Sequence, residues 1–562
     1  MLCQAFLLAV IRHTLNIEIT SRTVHGSTLI LQSAGGGSTI RGLIINGATD
    51  TGAFGVVAYE PNVLIECNYI GTEADGVTSV THDNSGGIVV NQLSDGAEIR
   101  NNVISGNGAY GIFSICNDIS DVADNIKIHH NIIGLDKTGA VALPNVGLDG
   151  FGAGINFYGA NQADIYNNVL SGNGNYGIIL DLHTGTKVRG NLIGANLAGT
   201  AGVGNKTGLL VYSGSAVIGG TSVADRNIIS GNDNGVLVAN TSASSDIKVT
   251  GNYIGLDATG ALLSGNRPGA SGVSLINASG VQIGGATAGE TNAISGNSFT
   301  GIYIGGANGG TNTTIRGNII GLGPDGTTVA ANGNGIFVDG VTAPTGSFRI
   351  GGAGSGEGNV ISGNTSNGIQ VGNTSPSIAN PFLILGNKIG TAADGVTARG
   401  NGNDGVVITS GSQHVVVGGV AANEANTIAY NSQNGVRVTG DTTNSITARG
   451  NSIHANTQLG IDLAGIYNNA DPLDLTDSDT GPNGLQNFPR RTTFTKCDGS
   501  TETKTVLRSA PSTTYTIDFY ANPSGYDSSG YGEGEQYLSS TTVTTDATGY
   551  AQFTPLPLSI LV

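Results

Sequence analysis

The sequence predicts an all-β chain: a parallel β-helix solenoid of about 13 coils with three strands per coil, followed by a small antiparallel β-sandwich. Three observations indicate this fold. An asparagine recurs in one local context along most of the chain, short aliphatic runs alternate with glycine-rich turns, and the composition changes after about residue 466. Self-similarity at a fixed period is typical of solenoids.

The composition favours a turn-rich β architecture. Glycine supplies 92 of the 562 residues, Trp is absent, and charged residues make up 11%, against about 25% in a typical soluble domain. Because glycine adopts positive φ at no steric cost, many tight turns suit this composition. The net charge of −17 disfavours nucleic acid as a partner, since nucleic acid requires compensating cations.

The cysteines and the N-terminus give no sign of a disulfide framework or a membrane span. Cys3, Cys67, Cys116 and Cys497 lie far apart without CxxC spacing, which indicates neither disulfides nor a zinc site. The N-terminal apolar run in MLCQAFLLAVIRHTLNIEI is too short to cross a bilayer, and we expect no membrane insertion. We expect residues 1–35 to cap the first coil; a damaged signal peptide or an artefactual start is the alternative.

Asparagines in the frame N-x-[IL]-[SG] mark the coils, and only Ala429 and His454 depart from its last position. Successive spacings alternate between long and short, and consecutive pairs sum to between 60 and 69 residues. The repeating unit is therefore two coils of unequal length, a shorter one reading NVISGNGAYGIF and a longer one reading NIIGLDKTG. The marked positions are Asn68, Asn102, Asn131, Asn168, Asn191, Asn227, Asn252, Asn292, Asn318, Asn359, Asn387, Asn426 and Asn451.

Three short strands per coil describe a parallel β-helix over residues 36–466. Each coil has three runs of three to five residues rich in Ile, Val and Leu that alternate in and out, such as IKIH at 126–129. Each strand is expected to pair with its counterpart one coil away. At a corner, each marked Asn can hydrogen-bond through its amide to the equivalent residues above and below, which predicts a structural asparagine ladder. Ligand binding by these asparagines is the alternative.

The segments NIISGN…GVLV and NYIGLDATG resemble the repeats of right-handed parallel β-helix proteins, the pectate-lyase-like superfamily, and within it those of bacterial secreted repeat proteins. The resemblance covers about residues 36–466 and implies a right-handed solenoid outside the cell or on a bacterial cell surface. It implies no single activity, because that superfamily contains lyases, hydrolases, esterases, epimerases, adhesins and inert spacers. The paired aspartates, GHG, RIK, RxPxxR and DPH elements of its enzymes are absent from this sequence.

Residues 485–562 predict an immunoglobulin-like β-sandwich, because TTYTIDFYA and EQYLSSTTVTTDATGYAQFTP alternate between turn residues. The chain stops soon after a strand, at LPLSILV, so we expect an incomplete sandwich. The linker 467–484 is acidic and places Asp471, Asp474, Asp477 and Asp479 within nine residues. Such oxygen ligands would suit Ca²⁺; a solvated acidic linker is the alternative.

A sparse cationic stripe is the predicted ligand-binding surface. The outward position two residues before each long-coil Asn holds His129, Arg189, Arg316 and Arg449. These residues would meet carboxylates or sulfates of an extended glycan. An ordinary solvated face is the alternative, since Thr250 and Leu385 interrupt the stripe. His129 and His130 are expected to point to opposite faces of their strand, which argues against a metal site.

The predicted function is a secreted or cell-surface β-helix that acts as a non-enzymatic structural, adhesion or glycan-contacting module. Its expected partner is an extracellular polysaccharide or a cell-surface glycan. The low aromatic content predicts that the solenoid lacks platforms for stacking sugars. The alternative is a polysaccharide lyase or epimerase with its site on the loop face formed by the long-coil insertions. The recurring turn acids Asp75, Asp136, Asp257, Asp325 and Asp394 are assigned to Asp–Gly and Thr–Gly turn chemistry.

Overall fold

The chain folds into two compact units, Met1–Gly333 and Asn334–Val562, each built from stacked three-stranded coils. The computed structural model describes residues 17–20, 26–32, 35–48, 50, 52–79, 84–115, 122–147, 152–242, 245–263, 271–307, 309–341, 346–463, 476–495, 501–525 and 532–553. The coil strands form three parallel sheets. Along the chain, a coil gives one strand to the third sheet, the next to the first sheet and the next to the second sheet, as with Leu64–Glu66, Tyr69–Ile70 and Gly86–Asn91. The predicted all-β parallel solenoid is confirmed.

In the N-terminal unit, the first sheet contains Glu18–Thr20, Ile44–Asn46, Tyr69–Ile70, Val103–Ile104, Ile132–Ile133, Val169–Leu170, Leu192–Ile193, Ile228–Ile229, Tyr253–Ile254, Ala293–Ile294 and Ile319–Ile320. The second contains Leu29–Leu31, Phe54–Ala58, Gly86–Asn91, Tyr110–Ile115, Ala153–Tyr158, Tyr176–Asp181, Thr207–Val211, Asn234–Ala239, Ser271–Ile276 and Thr300–Gly305. The third contains Thr39–Arg41, Leu64–Glu66, Glu98–Arg100, Lys127–His129, Asp164–Tyr166, His183–Arg189, Gly214–Gly219, Ile247–Thr250, Val281–Gly284 and Thr313–Arg316, with Ala123–Asp124 and Ala160–Asn161 beside it.

In the C-terminal unit, the first sheet contains Val360–Ile361, Lys388–Ile389, Thr427–Ala429 and Ser452–His454. The second contains Asn334–Asp339, Ile369–Gly372, Val406–Thr409, Val436–Val438 and Ile461–Asp462, and the third contains Phe348–Gly351, Phe382–Leu385, Val415–Val417 and Thr447–Ala448. Two antiparallel sheets follow, one of Arg490–Thr495, Thr501–Arg508 and Tyr550–Phe553 and one of Thr514–Ala521 and Gln536–Thr544. Short 3₁₀ turns lie at Val223–Asp225, Ala288–Glu290 and Pro482–Leu485.

Two described strands of the first sheet precede the 13 coils that the asparagines predicted. These strands, Glu18–Thr20 and Ile44–Asn46, follow Ile17 and Leu43 instead of a marker Asn, so the frame missed them. Glu18–Thr20 and Leu29–Leu31 lie within the segment 1–35 that we expected to cap the first coil, and they pair with Ile44–Asn46 and Phe54–Ala58. Residues 1–16 lie outside the described chain, and the predicted domain boundaries stay predictions.

Aliphatic side chains fill the interior because each strand turns alternate residues inward. The middle residues of successive third-sheet strands, Ile65, Ile99, Ile128 and Ile165, are fully buried and in register with one another. Burial of each such side chain contributes about 2 kcal/mol. Hydrophobic stacking between equivalent positions therefore holds one coil on the next.

The predicted asparagine ladder is confirmed in both units. Each marker Asn is buried at the corner between the third and first sheets, and within each unit the side-chain amide of one marker donates to the carboxamide oxygen of the next. The bond from Asn131 to Asn168 is 3.0 Å long, and Asn168 Oδ1 also accepts the backbone N–H of Asn131. The same side-chain bond joins 68–102, 102–131, 168–191, 191–227, 227–252, 252–292, 292–318, 359–387, 387–426 and 426–451.

A second ladder, which we did not predict, lies at the corner between the first and second sheets. It alternates between the later Asn of the short-coil NVISGN motif and an Asn of the long coil, for example from Asn107 to the long-coil Asn145 at 2.8 Å and from Asn145 to Asn173 at 2.9 Å. Between the ladders, Ser105 of a short coil accepts the N–H of Gly134 in the next long coil and donates to Leu135 O. The same contact joins Ser171 to Gly194, which explains why Ser and Gly alternate after the marker.

The predicted turn acids bind their own turns. Asp325 Oδ1 accepts the backbone N–H groups of Thr327 and Thr328, and the Thr328 hydroxyl donates to Oδ2. Asp75 and Asp394 do the same in their turns. These bonds satisfy the exposed backbone of a tight turn, as expected from its Asp–Gly chemistry.

Candidate functional site

A row of charged and aromatic side chains runs along the outer face of the third sheet in the N-terminal unit. Six consecutive strands place one residue each in this row, in direct register. We call it the charged row; its members are Arg41, Glu66, Arg100, His129, Tyr166 and Arg189. It contains two of the four predicted ligand-binding residues.

Glu66 is the anionic centre at one end of the charged row. It is 3% exposed and pairs with Arg41 on one side and Arg100, at 2.8 Å, on the other. Burial alone would raise the pKa of Glu66, but the hydrogen bonds from Arg41 and Arg100 outweigh it and hold the pKa below its usual value. The carboxylate therefore stays charged and links three coils.

The two adjacent histidines form one hydrogen-bonded chain. His129 Nδ1 lies 2.8 Å from His130 Nδ1, His129 Nε2 lies 3.1 Å from Glu98, and His130 Nε2 lies 3.4 Å from the Asn167 amide. One set of neutral tautomers satisfies all three contacts: Asn167 donates to His130, His130 to His129, and His129 to Glu98. Burial lowers the pKa of both imidazoles.

This geometry corrects the expectation that His129 and His130 point to opposite faces. His130 has a φ of 57°, so the chain leaves the strand at that residue and the two-residue alternation ends. Alternation applies only to extended backbone. The turn brings the second imidazole back beside the first.

Tyr166 lies between His129 and Arg189. The imidazole of His129 stacks at 4.5 Å and 10° from the phenol ring, and the Arg189 guanidinium lies 4.5 Å from the ring centroid. Burial raises the pKa of Tyr166. The phenol is therefore held rigidly in its protonated form, with both ring faces covered.

The predicted cations are all engaged by neighbouring side chains. Arg189 donates two hydrogen bonds to Asp164, at 3.0 and 2.8 Å, which raise the pKa of the guanidinium. Gly219, Thr250 and Gly284 separate Arg189 from Arg316, whose guanidinium lies 3.3 Å from Gln282 Oε1. Arg449 lies in the C-terminal unit and pairs with Asp518. Ligand binding by His129, Arg189, Arg316 and Arg449 stays a prediction.

The structure describes two of the four aspartates that were predicted to bind calcium, Asp477 and Asp479. Asp471 and Asp474 lie outside the described residues. Asp477 accepts hydrogen bonds from Gln486 Nε2 and the Asn487 N–H at 3.2 Å and from the Ser509 hydroxyl. Within the described chain, no three His, Cys, Asp or Glu side chains are grouped to hold a metal ion, and calcium binding by Asp471, Asp474, Asp477 and Asp479 stays a prediction.

A second row, which the sequence reasoning missed, lies where the second-sheet strands of the N-terminal unit end. Tyr59, Tyr158 and Tyr212 are 38%, 42% and 46% exposed and occupy the same register position in three of six successive coils. We call this the tyrosine row; its members are Tyr59, Asn91, Ile115, Tyr158, Asp181 and Tyr212. No aromatic partner covers the three tyrosine rings among the described residues. The sequence signal is a Tyr closing an aliphatic run, as in VVAY, INFY and LLVY.

The second-sheet face beside the tyrosine row is mostly apolar. Two residues before the row, the outward positions hold Val57, Val89, Phe113, Asn156, Ile179 and Leu210, of which Asn156 alone is polar. In the N-terminal unit, Asp181 is the one charged residue in the described strands of this sheet. The low overall aromatic content predicted no sugar-stacking platform, and the structure exposes three tyrosine rings beside this sheet.

No helix in the described part of the chain is long and apolar enough to cross a membrane. The family described as "right handed beta helix region" matches residues 9–193 and 77–254. No curated protein sequence matches the chain.

Three solved structures illustrate the likeness in fold. The A-module of the Azotobacter vinelandii mannuronan C-5 epimerase AlgE6 is 14% identical, with a TM-score of 0.34 over 77% of this chain and 88% of that one. A mutant of the periplasmic alginate epimerase AlgG is 14% identical, with a TM-score of 0.35 over 74% and 72%. PfbA, a surface adhesin of Streptococcus pneumoniae, is 12% identical, with a TM-score of 0.26 over 71% and 91%.

These identities are too low to carry an activity from any of the three proteins to this chain. The family match and the stacked coils of three parallel strands concern the architecture alone. Together they show that this chain is a parallel β-helix repeat protein, whose residues 9–254 match the right-handed β-helix family.

Proposed function

We propose that the chain is a non-enzymatic, glycan-contacting β-helix module that acts outside the bacterial cell or on its surface. The tyrosine row carries this proposal, because it sets three exposed phenol rings in one line on a rigid sheet. Tyrosine offers an apolar ring face and a hydroxyl, which suit the apolar and hydroxyl-bearing faces of a sugar.

The surroundings of the tyrosine row support binding without turnover. Glycoside chemistry needs at least two titratable groups directed at one bond. Among the six members of the row, Asp181 is the one carboxylate, and it accepts a 2.6 Å hydrogen bond from Ser213. The row therefore offers contacts along a polymer and lacks a paired acid and base.

A polysaccharide lyase or epimerase is the second candidate, and the charged row is the observation that favours it. His129 and Tyr166 stack on each other, carry pKa values shifted by burial, and lie beside the carboxylates of Glu98 and Asp164. Perturbed titratable groups that cluster in this way are typical of active sites, although ion-pair networks produce them too.

Affinity electrophoresis against a panel of soluble polysaccharides tests the proposal. At least one polymer should retard the protein. Tyr158→Ala should weaken this binding and raise the Kd about tenfold. Phe299→Ala is the matched control, since Phe299 is 43% exposed outside the row. The same polymers are assayed for unsaturated products with and without calcium. Product formation that His129→Gln abolishes would establish the enzyme instead.

A further inference from the structure

We infer that the polymer bound by the tyrosine row is an uncharged polysaccharide that lies along the coil axis of the N-terminal unit. This inference rests on the proposed function and names its ligand class. It starts from the charges at the corner between the second and third sheets, which the tyrosine row borders.

The described corner residues include several carboxylates and no Lys or Arg. These segments are 59–62, 91–96, 158–162, 181–185 and 212–215, and they contain the buried Glu60 as well as Asp95 and Asp181. Asp124, whose backbone N–H donates to Asp95 at 2.8 Å, adds a fourth acid at the same corner. His183, the corner's imidazole, is 1% exposed, and its burial keeps it neutral.

A uronate or sulfated polymer would therefore meet only like charge at the tyrosine row. Two arginines of the unit are paired away from the row, Arg189 with Asp164 and Arg100 with Glu66, on the third sheet. The net charge of −17 adds to this repulsion at long range. Charge complementarity thus favours a ligand that carries no negative charge.

The polar groups at this corner suit hydroxyl ligands. Asn91 and Asp181 alternate with the exposed residues of the row, and the Ser213 hydroxyl already donates to Asp181. At the same corner, the Thr184 hydroxyl donates to Asn161 Oδ1 of the preceding coil at 2.6 Å. Amides, hydroxyls and a carboxylate acceptor beside exposed aromatic rings bind sugars through hydrogen bonds and stacking.

The register sets the direction of the polymer. Three coil spacings separate Tyr59 from Tyr158 and two separate Tyr158 from Tyr212, which correspond to roughly 14 Å and 10 Å at the usual strand separation. A chain lying along the axis contacts all three rings, whereas a chain crossing the sheet contacts one. Affinity should therefore rise with oligomer length until the ligand spans about 24 Å.

Affinity electrophoresis of the full chain with two probes, a soluble mixed-linkage β-glucan and polygalacturonate, tests the ligand class. We expect the β-glucan to bind with the same Kd within twofold at 50 mM and 500 mM NaCl, and polygalacturonate to give no retardation. Tyr59→Ala and Tyr212→Ala should each weaken β-glucan binding severalfold, whereas Phe299→Ala should leave it unchanged.

Substitutions of Asp181 test how charge at the tyrosine row affects the choice of polymer. Asp181→Asn should leave β-glucan binding within twofold, and Asp181→Lys should make polygalacturonate binding detectable at 50 mM NaCl and lost at 500 mM. Thermal unfolding of each variant confirms that it is folded.

The outcomes separate the two claims. Retardation of the wild-type chain by polygalacturonate, reduced by Tyr158→Ala, would overturn the inference and leave the proposed function standing. Binding of the β-glucan that is insensitive to Tyr59→Ala and Tyr212→Ala would overturn the axial placement. Failure of every polymer to bind would overturn both.

Discussion

Arg449 in the last complete coil of the C-terminal unit donates two hydrogen bonds, of 2.9 and 2.6 Å, to Asp518 in the antiparallel sheets. The same face supplies acceptors to the exposed backbone of that coil. Gly534 O accepts the N–H of Ile453 at 3.0 Å, and the Tyr520 hydroxyl accepts the N–H of Gly450 at 2.8 Å. An open strand edge invites pairing with other chains, so the antiparallel sheets cap the solenoid of this unit.

Loss of the Arg449–Asp518 pair should destabilise the C-terminal unit. We expect Asp518→Ala to lower the free energy of unfolding by about 2 kcal/mol, since a partly buried guanidinium loses two charge-assisted bonds. The matched control is Asp246→Ala, which removes the exposed partner of Lys248 at 3.2 Å and should cost less than about 0.5 kcal/mol. Urea denaturation measures both, and equal losses would contradict a capping role for Asp518.

Removal of one ladder carboxamide should cost more than removal of an exposed one. Asn191 Oδ1 accepts both the N–H and the side-chain amide of Asn168, and its own amide donates to Asn227 and to Ile165 O. Asn191→Ala leaves these buried groups without partners, so we expect a loss of about 3 kcal/mol in unfolding free energy. Asn444→Ala, at an exposed turn, should change it by less than about 0.5 kcal/mol.

Glycine at position 134 is required for space as well as for backbone conformation. Its φ is 90°, and a Cβ there would lie 2.3 Å from Ser171 O and 2.4 Å from Asn173 Oδ1. At Gly42, φ is 73° and a Cβ would meet nothing within 4 Å. We expect Gly42→Ala to cost about 1 kcal/mol from backbone strain alone, and Gly134→Ala to cost about 3 kcal/mol or more. If thermal unfolding shows the same loss of stability for both variants, the structure around residue 134 must relax to make room for the methyl group.

His183 should make the N-terminal unit acid-sensitive. The side chain is 1% exposed, neither ring nitrogen has a hydrogen-bond partner among the described residues, and burial lowers its pKa to about 4. A pKa lower in the folded chain than the ordinary histidine value of 6.5 means that the unfolded chain binds the proton more tightly. Stability is therefore fully present above pH 6.5 and falls by about 3 kcal/mol as the pH drops to 4.

The variant His183→Leu isolates this contribution. Urea denaturation between pH 7 and pH 4 should show a shallower loss of stability for the variant than for the wild-type chain. A residual slope is expected from His129 and His130, whose pKa values burial also lowers. An unchanged pH dependence would mean that His183 is already hydrated or charged in the folded chain.

The sequence periodicity predicted those parts of the fold in which one residue type recurs at the same position of successive coils. The marker asparagines share both a spacing and a buried corner, so their ladder followed from the sequence. Asn107 and its equivalents were visible in the same motif, but two asparagines five residues apart do not reveal that they occupy different corners. The two earliest coils were missed because Ile17 and Leu43 stand where their markers would be.

The candidate sites were harder to predict because they depend on side-chain partners across coils of unequal length. The outward position of Arg189 followed from strand alternation, but its pairing with Asp164 depends on which residues of two coils lie side by side. The tyrosine row is set by the same register. Tyr59 and Tyr158 are far apart in sequence, and the variable loops between them hide the shared position.

The contact between Ser105 and Gly134 limits how a protein of this kind changes length. A short coil offers its hydroxyl to the long coil that follows, and Gly134 has no room for a side chain beneath the short coil after it. Excision of a single coil would bring two hydroxyl-bearing coils, or two glycine-bearing coils, into contact. Duplication and deletion during evolution should therefore conserve coil parity, adding or removing whole pairs.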